Sequence, residues 1–274
     1  MGAGMRCSLP VLLLTGFLSA TLPGRSVVDA GGDTALYRTA PLSGAPWKQV
    51  AGIAGPTGSG VYLGKRFILT ANHVSDSGTI LLNGVEYNRD ATFTPVQLVQ
   101  KEVRFPAGRL VDLKLFRIQT DPGIPGVPLI APGDNDLAKR CTYVGWGLGR
   151  GTAVGATGWM WNDIRVQRWG TNITLPYTLV NSLTGYDVPL LSTNFDRLAG
   201  PDEMSLANTD SGGGLFINVN GVWKLAAIGV DTDDNGAFYD HDSAKAGDQP
   251  SKSYYVRIRP IRVAILAIIN AAAP

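Results

Sequence analysis

A serine hydroxyl attacks a carbonyl only when a base within hydrogen-bond reach takes its proton. An imidazole does this best when a carboxylate fixes its tautomer and supports the imidazolium. The chain carries a residue for each role. His73 lies in RFILTANHVSDSG, directly after an apolar run and before a polar turn. Asp112 stands at the start of VDLKLFRI, where a loop enters an alternating strand. Ser211 lies in NTDSGGGLF (208–216), between an aspartate and three glycines. A Gly-rich loop can also be a phosphate cradle, but no lysine follows these glycines as it does in a P-loop. The nucleophile elbow of another hydrolase class, Gly-x-Ser-x-Gly, would need glycine at 209, where Thr209 stands, and a chain order of Ser, Asp, His.

A second constellation is DTDDNGAFYDHD (231–242). Asp231, Asp233 and Asn235 occupy positions 1, 3 and 5 of a calcium-loop spacing, with Gly236 at 6 and Asp242 at 12. Position 12 is aspartate rather than glutamate and no helices flank the loop, so the competing expectation is a solvated acidic loop. The second histidine, His241, belongs to this loop and is expected to be exposed.

These residues need a scaffold, and the composition limits which one. The chain has 274 residues, with 34 Gly and 17 Pro, too few and too aperiodic for a collagen-like chain and suited to a turn-rich β protein. The formal net charge is +2 without a clustered basic run, which argues against a nucleic-acid partner. Arg6 followed by LPVLLLTGFLSATL (9–22) is expected to be an export signal, with 1–30 as signal peptide and leader. Cleavage after Ala20 or Ala30 would leave no membrane anchor and a nearly neutral chain, secreted or periplasmic. Cys141 would then have no intramolecular disulfide partner. Residues 31–46 are expected to form a loose N-terminal extension, and the folded domain to run over 47–274.

From Trp47 onward, turn residues recur every few positions, the texture of an all-β barrel or sandwich. GVYLGKRFILTA (60–71) reads as two strands across a turn at Gly64-Lys65, and TILLNGVEYN carries the hairpin dipeptide Asn83-Gly84. VQLVQKEVRF, LKLFRIQ, CTYVGWG, MWNDIRVQRW, GGLFINV and WKLAAIGV continue the series as strands. RPIRVAILAIINAAA (259–273) has helical periodicity and is expected to be a C-terminal helix on the β body. Asn172-Ile173-Thr174 is a glycosylation sequon, a pattern frequent by chance.

LTANHV, DLKLFRI and TDSGGGLF resemble, in order, the histidine, aspartate and serine segments of trypsin-like (chymotrypsin-fold) serine peptidases. CTYVGWG is similar to that family's Gly-Trp-Gly strand, and YYVRI (254–258) to its last strand before a terminal helix. The resemblance runs from about residue 47 to the C-terminus, in the manner of exported bacterial members. It implies two six-stranded antiparallel Greek-key barrels with a cleft between them. It further implies His73 as general base, Asp112 as its orienter, Ser211 as nucleophile, and the Thr209 and Ser211 N–H groups as the oxyanion hole. Protein or peptide substrates follow, with no cofactor required beyond the calcium considered above. The family has glycine where this chain has Thr209, and its liberated N-terminal amine, which pairs with the residue here numbered Asp210, has no convincing counterpart. Back-counting from Ser211 puts Ser205 at the base of the substrate pocket, near Asp202 and Glu203, with Val230 and Thr232 on its wall and a neutral pocket expected. The competing function is a catalytically impaired member of the fold that only binds.

Overall fold

A computed structural model of the chain describes residues 1, 28–29, 35–53, 58–99, 110–181, 186–196, 198–233, 237–239 and 249–272. The first large sheet contains β2 (Val50–Ile53), β3 (Gly58–Gly64), β4 (Phe67–Ala71), β5 (Ile80–Leu82), β6 (Val85–Tyr87), β7 (Val96–Val99) and β8 (Leu110–Arg117), with spatial order 6-5-2-3-4-8-7. The second contains β9 (Arg140–Gly145), β12 (Arg168–Ile173), β13 (Leu175–Asn181), β14 (Tyr186–Asn194), β16 (Gly214–Val219), β17 (Val222–Thr232) and β19 (Lys252–Arg257), ordered 12-9-16-17-19-14-13. All pairings within both sheets are antiparallel. Two small sheets join β10 (Arg150–Val154), β11 (Gly158–Trp161) and β18 (Ala237–Tyr239), and β1 (Val28–Asp29) with β15 (Met204–Ser205). The molecule is thus mostly β and antiparallel.

Local sequence explains the hairpins. Lys65 and Arg66 both take positive φ between β3 and β4. Asn83 and Gly84 do the same between β5 and β6, as a tight two-residue turn requires. One apolar cluster joins the large sheets: Val61, Leu69, Leu113 and Leu115 from the first pack with Tyr143, Leu215, Ile228 and Tyr255 from the second. The expected C-terminal helix is α1 (Arg262–Ala271), shorter than its periodic pattern because the chain leaves β19 through a turn at Arg259 and Pro260. Ile265 and Ile269 bury its inner face in the shared cluster.

Two expectations are corrected. MWNDIRVQRW is not one strand but the end of β11, a loop, and the start of β12. Asn162 breaks the run by taking backbone groups for itself: its Oδ1 accepts from the N–H of Gly149 (2.8 Å) and of Ile164 (3.0 Å), and its amide donates to Arg150 O (3.1 Å). The extension is not loose over its described part either. Tyr37 is fully buried in a short 3₁₀ turn (Ala35–Arg38), its ring 4.7 Å from Trp169 and its hydroxyl donating to Asp202. Trp223 Nε1 holds the next stretch by donating to Ser43 O at 3.1 Å.

Candidate active site

The antiparallel register of β4 and β8 pairs Ala71 with Leu113, so the next step along each strand sets Asn72 opposite Asp112. The Asn72 N–H donates to Asp112 O at 3.1 Å, and the turn closes with the Val74 N–H donating to Ala71 O at 3.1 Å. His73 is therefore fixed against Asp112 at two points. Its backbone N–H donates to Asp112 Oδ1 (3.0 Å) and its Nδ1 lies 2.7 Å from Asp112 Oδ2. With Nδ1 carrying the proton to this carboxylate, Nε2 is left with the lone pair of a base. The Asp112 side chain is 10% exposed and the His73 ring 48%, so the carboxylate is enclosed while the imidazole faces out. The Asp112 hydrogen bond raises the His73 pKa above the ordinary 6.5, against the opposing effect of burial.

The Ser211 loop is held to the first sheet. Ser59 N–H donates to Ser211 O at 2.7 Å, and Thr70 Oγ1 donates to Ser59 O at 2.6 Å. Gly212 has φ +91°, and a Cβ there would fall 2.0 Å from Ser59 O, so no other residue fits without displacing β3. Gly58 makes the second close approach: a Cβ at that position would sit 2.6 Å from both Ser211 O and Val74 Cγ2. The residue after His73 and the Ser211 backbone are thus neighbours across one absent side chain. The Ser211 hydroxyl donates to Val230 O at 3.3 Å in this arrangement.

Thr209 takes φ +69°, the left-handed conformation that glycine adopts freely and a β-branched residue only under strain. Its hydroxyl donates to Trp146 O at 3.4 Å, and the following turn is closed by the Gly213 N–H donating to Asp210 O (2.9 Å), which also accepts from Tyr143 OH (2.6 Å). The backbone expected of glycine is therefore present with threonine in place. Among the described residues, neither the Thr209 nor the Ser211 N–H donates to a protein acceptor.

Asp210 is buried and has internal partners where the resemblance implies a liberated amine. Its Oδ2 accepts from the Ala207 N–H (2.9 Å), the Gly147 backbone packs against the carboxylate, and Oδ1 has no hydrogen-bond partner among the described residues. Burial pushes its pKa up to about 7, held from rising further by these backbone groups and the charges of Arg168 and Arg165. Arg168 is itself 1% exposed and donates to Gly147 O at 2.7 Å. Losing this buried hydrogen bond and a charge that steadies the Asp210 carboxylate costs about 1–3 kcal/mol. Arg168→Met is expected to lower the unfolding free energy by that order in urea melts, and adding Asp210→Asn to restore part of it.

Beside Ser211 lies a cavity of about 150 Å³. Val230 and Thr232 line it, together with Trp161, Asn208 and Asp231. Ser205 does not line it. Its side chain is buried beneath β15, with Oγ 3.1 Å from Ser253 Oγ, because back-counting cannot anticipate which face of a two-residue strand turns inward. Asp202 accepts from Tyr37 OH, and Glu203 is fully buried. A larger cavity of about 580 Å³ lies elsewhere, between Leu36, Leu42 and Trp169, and touches none of His73, Asp112 and Ser211.

Burial pushes Glu203 up to about 8, assisted by the Asp196 carboxylate beside it. A carboxyl whose pKa is higher folded than unfolded stabilises most below its unfolded value, and that contribution is lost as pH rises through the folded value. Stability is thus expected to fall between pH 5 and 9, and Glu203→Gln to flatten that slope in urea titrations.

The other nominated residues are placed as follows. Asp231 ends in β17, and Asp233 Oδ1 accepts from the Lys252 N–H at 2.7 Å, while Asn235, Gly236, His241 and Asp242 lie outside the described residues. No group of three or more His, Cys, Asp or Glu able to hold a metal occurs among the described residues. Asn172 is 3% exposed and its amide donates to Asn194 O and Met204 O, both at 2.8 Å, so its nitrogen is committed inside the fold rather than offered to a glycan. Cys141 is buried, and burial raises its thiol to about 12, which makes it inert. Sequence reasoning missed Trp161 and Asn208, which no local motif marks as neighbours of Ser211. The described residues contain no helix long and apolar enough to cross a membrane. No protein-family model matches this chain, and a search of curated proteins finds no match.

Proposed function

We propose that this protein is an exported serine endopeptidase of the trypsin-like kind, with two β-barrel halves and a cleft between them. Ser211 attacks the peptide carbonyl, His73 Nε2 takes its proton and returns it to the leaving amine, and Asp112 holds the imidazole and supports its charge. The Thr209 and Ser211 N–H groups receive the oxyanion. The observation that carries this proposal is the two-point grip of Asp112 on His73, which leaves Nε2 to act as the base. The order of the two antiparallel sheets and the terminal helix supports the fold assignment. The apolar stretch at residues 9–22 supports export.

Attack requires neutral His73, and Asp112 stabilises its charged form. The kcat/KM profile on a casein-derived peptide is therefore expected to rise with pH through a value above 6.5. An acid limb at or below 6.5 contradicts the assignment of His73 as base.

A second function has one specific observation in its favour. Ser211 Oγ points its proton at Val230 O, and Thr209 bears backbone strain, as in a binding protein whose machinery is switched off. Such a protein neither cleaves peptides nor reacts with a fluorophosphonate.

A further inference from the structure

We propose that the cavity beside Ser211 is a specificity pocket for a primary carboxamide, so that this chain cleaves after glutamine or asparagine. The inference rests on the endopeptidase function proposed above. Two side chains that line the cavity hold a buried polar atom with no partner among the described residues: Trp161 Nε1 and Thr232 Oγ1. An unpaired buried donor costs about 1–3 kcal/mol and calls for an explanation, a bound ligand being one. The indole can only donate, whereas the hydroxyl can donate or accept. A third lining residue has the opposite character. The Asp231 carboxylate at the rim accepts the Thr232 N–H at 2.9 Å and keeps acceptor capacity beyond it.

Donors on one wall and a carboxylate on another select among side chains. Lysine and arginine have no acceptor for Trp161 and Thr232. Glutamate has no donor for Asp231 and brings a like charge against it. Leucine and phenylalanine seal the polar atoms from water without replacing their hydrogen bonds. A carboxamide offers a carbonyl oxygen to Trp161 and Thr232 and an NH₂ group to Asp231. Glutamine and asparagine are also short enough for a cavity of about 150 Å³. Both atoms are enclosed in the free protein, so engagement requires the Trp161 and Thr232 side chains to turn toward the ligand, for the hydroxyl by a change of χ1 well.

The test uses the purified protein and fluorogenic peptides that differ only at the residue before the cleaved bond: Gln, Asn, Glu, Lys, Leu or Ala. Gln or Asn is expected to give the highest kcat/KM, about 10²-fold above Leu. Thr232→Val and Trp161→Phe are each expected to reduce the Gln-to-Ala ratio at least about tenfold. Peptide aldehydes with the same series, scored by protection against fluorophosphonate labelling, read the ranking without turnover. Labelling with Glu, Lys or Leu ranked first, or with ratios unmoved in both variants, overturns the carboxamide pocket and leaves the peptidase function standing. Neither labelling nor cleavage overturns both.

Discussion

Ser211→Ala will lower peptide hydrolysis by about 10⁶-fold while leaving the fold in place. The large loss follows because Ser211 is the proposed nucleophile and the other hydroxyl of the loop, on Thr209, is engaged with Trp146 O at 3.4 Å. What the substitution spares is equally specific. The Ser211 carbonyl still accepts the Ser59 N–H at 2.7 Å, and the Gly212 N–H still donates to Gly229 O at 2.8 Å. Among the described residues, the only side-chain hydrogen bond removed is one of 3.3 Å to Val230 O, worth about 1 kcal/mol or less. Urea unfolding of the variant should therefore overlay closely on the parent while the turnover assay falls to background.

Asp112→Asn will cost about 10⁴-fold in kcat, and by a different route. An asparagine keeps the shape: its carbonyl oxygen can still accept the His73 N–H that now reaches Oδ1 at 3.0 Å, and the backbone bond from Asn72 is untouched. The amide presented at the other position cannot accept from Nδ1–H. The imidazole then prefers the tautomer with its proton on Nε2, where it has no lone pair for Ser211. The carboxylate that raised the His73 pKa is also gone, so the acid limb of residual activity is expected to move to lower pH. A variant that loses rate with its acid limb unmoved would assign Asp112 to structure alone.

Much of the site was legible because its spacing follows from strand pairing. A histidine two residues past β4 and an aspartate near the start of β8 meet whenever those strands pair in antiparallel register, and their apolar runs already marked them as strands. The Asn83-Gly84 turn was readable from residue types that accept the positive φ a short hairpin needs, whereas the turn expected at Gly64-Lys65 extends to Arg66, whose positive φ its residue type does not announce. Side chains that take over backbone groups were not readable. Asn162 splits an apolar run because its amide occupies Gly149, Arg150 and Ile164, contacts that no periodicity records. Arg165 likewise leaves the strand pattern, donating to Trp146 O at 2.8 Å and Ile53 O at 3.1 Å and so tying the two large sheets together. Thr209 looked incompatible with the serine loop on local preference alone. Tertiary contacts from Trp146, Tyr143 and the Asp210 turn hold the strained conformation in place. Asp231 fits a calcium-loop spacing because carboxylates alternate along that segment; it also lines the cavity beside Ser211, while Asn235 and Asp242 lie outside the described residues.

The most direct test of the nucleophile is peptide mapping by mass spectrometry after treatment of the purified protein with a fluorophosphonate. The mechanism predicts one stoichiometric adduct on Ser211, formed faster as pH rises through the His73 titration and absent from Ser211→Ala. No adduct at neutral or alkaline pH, or one on another residue with Ser211 unmodified, would contradict it.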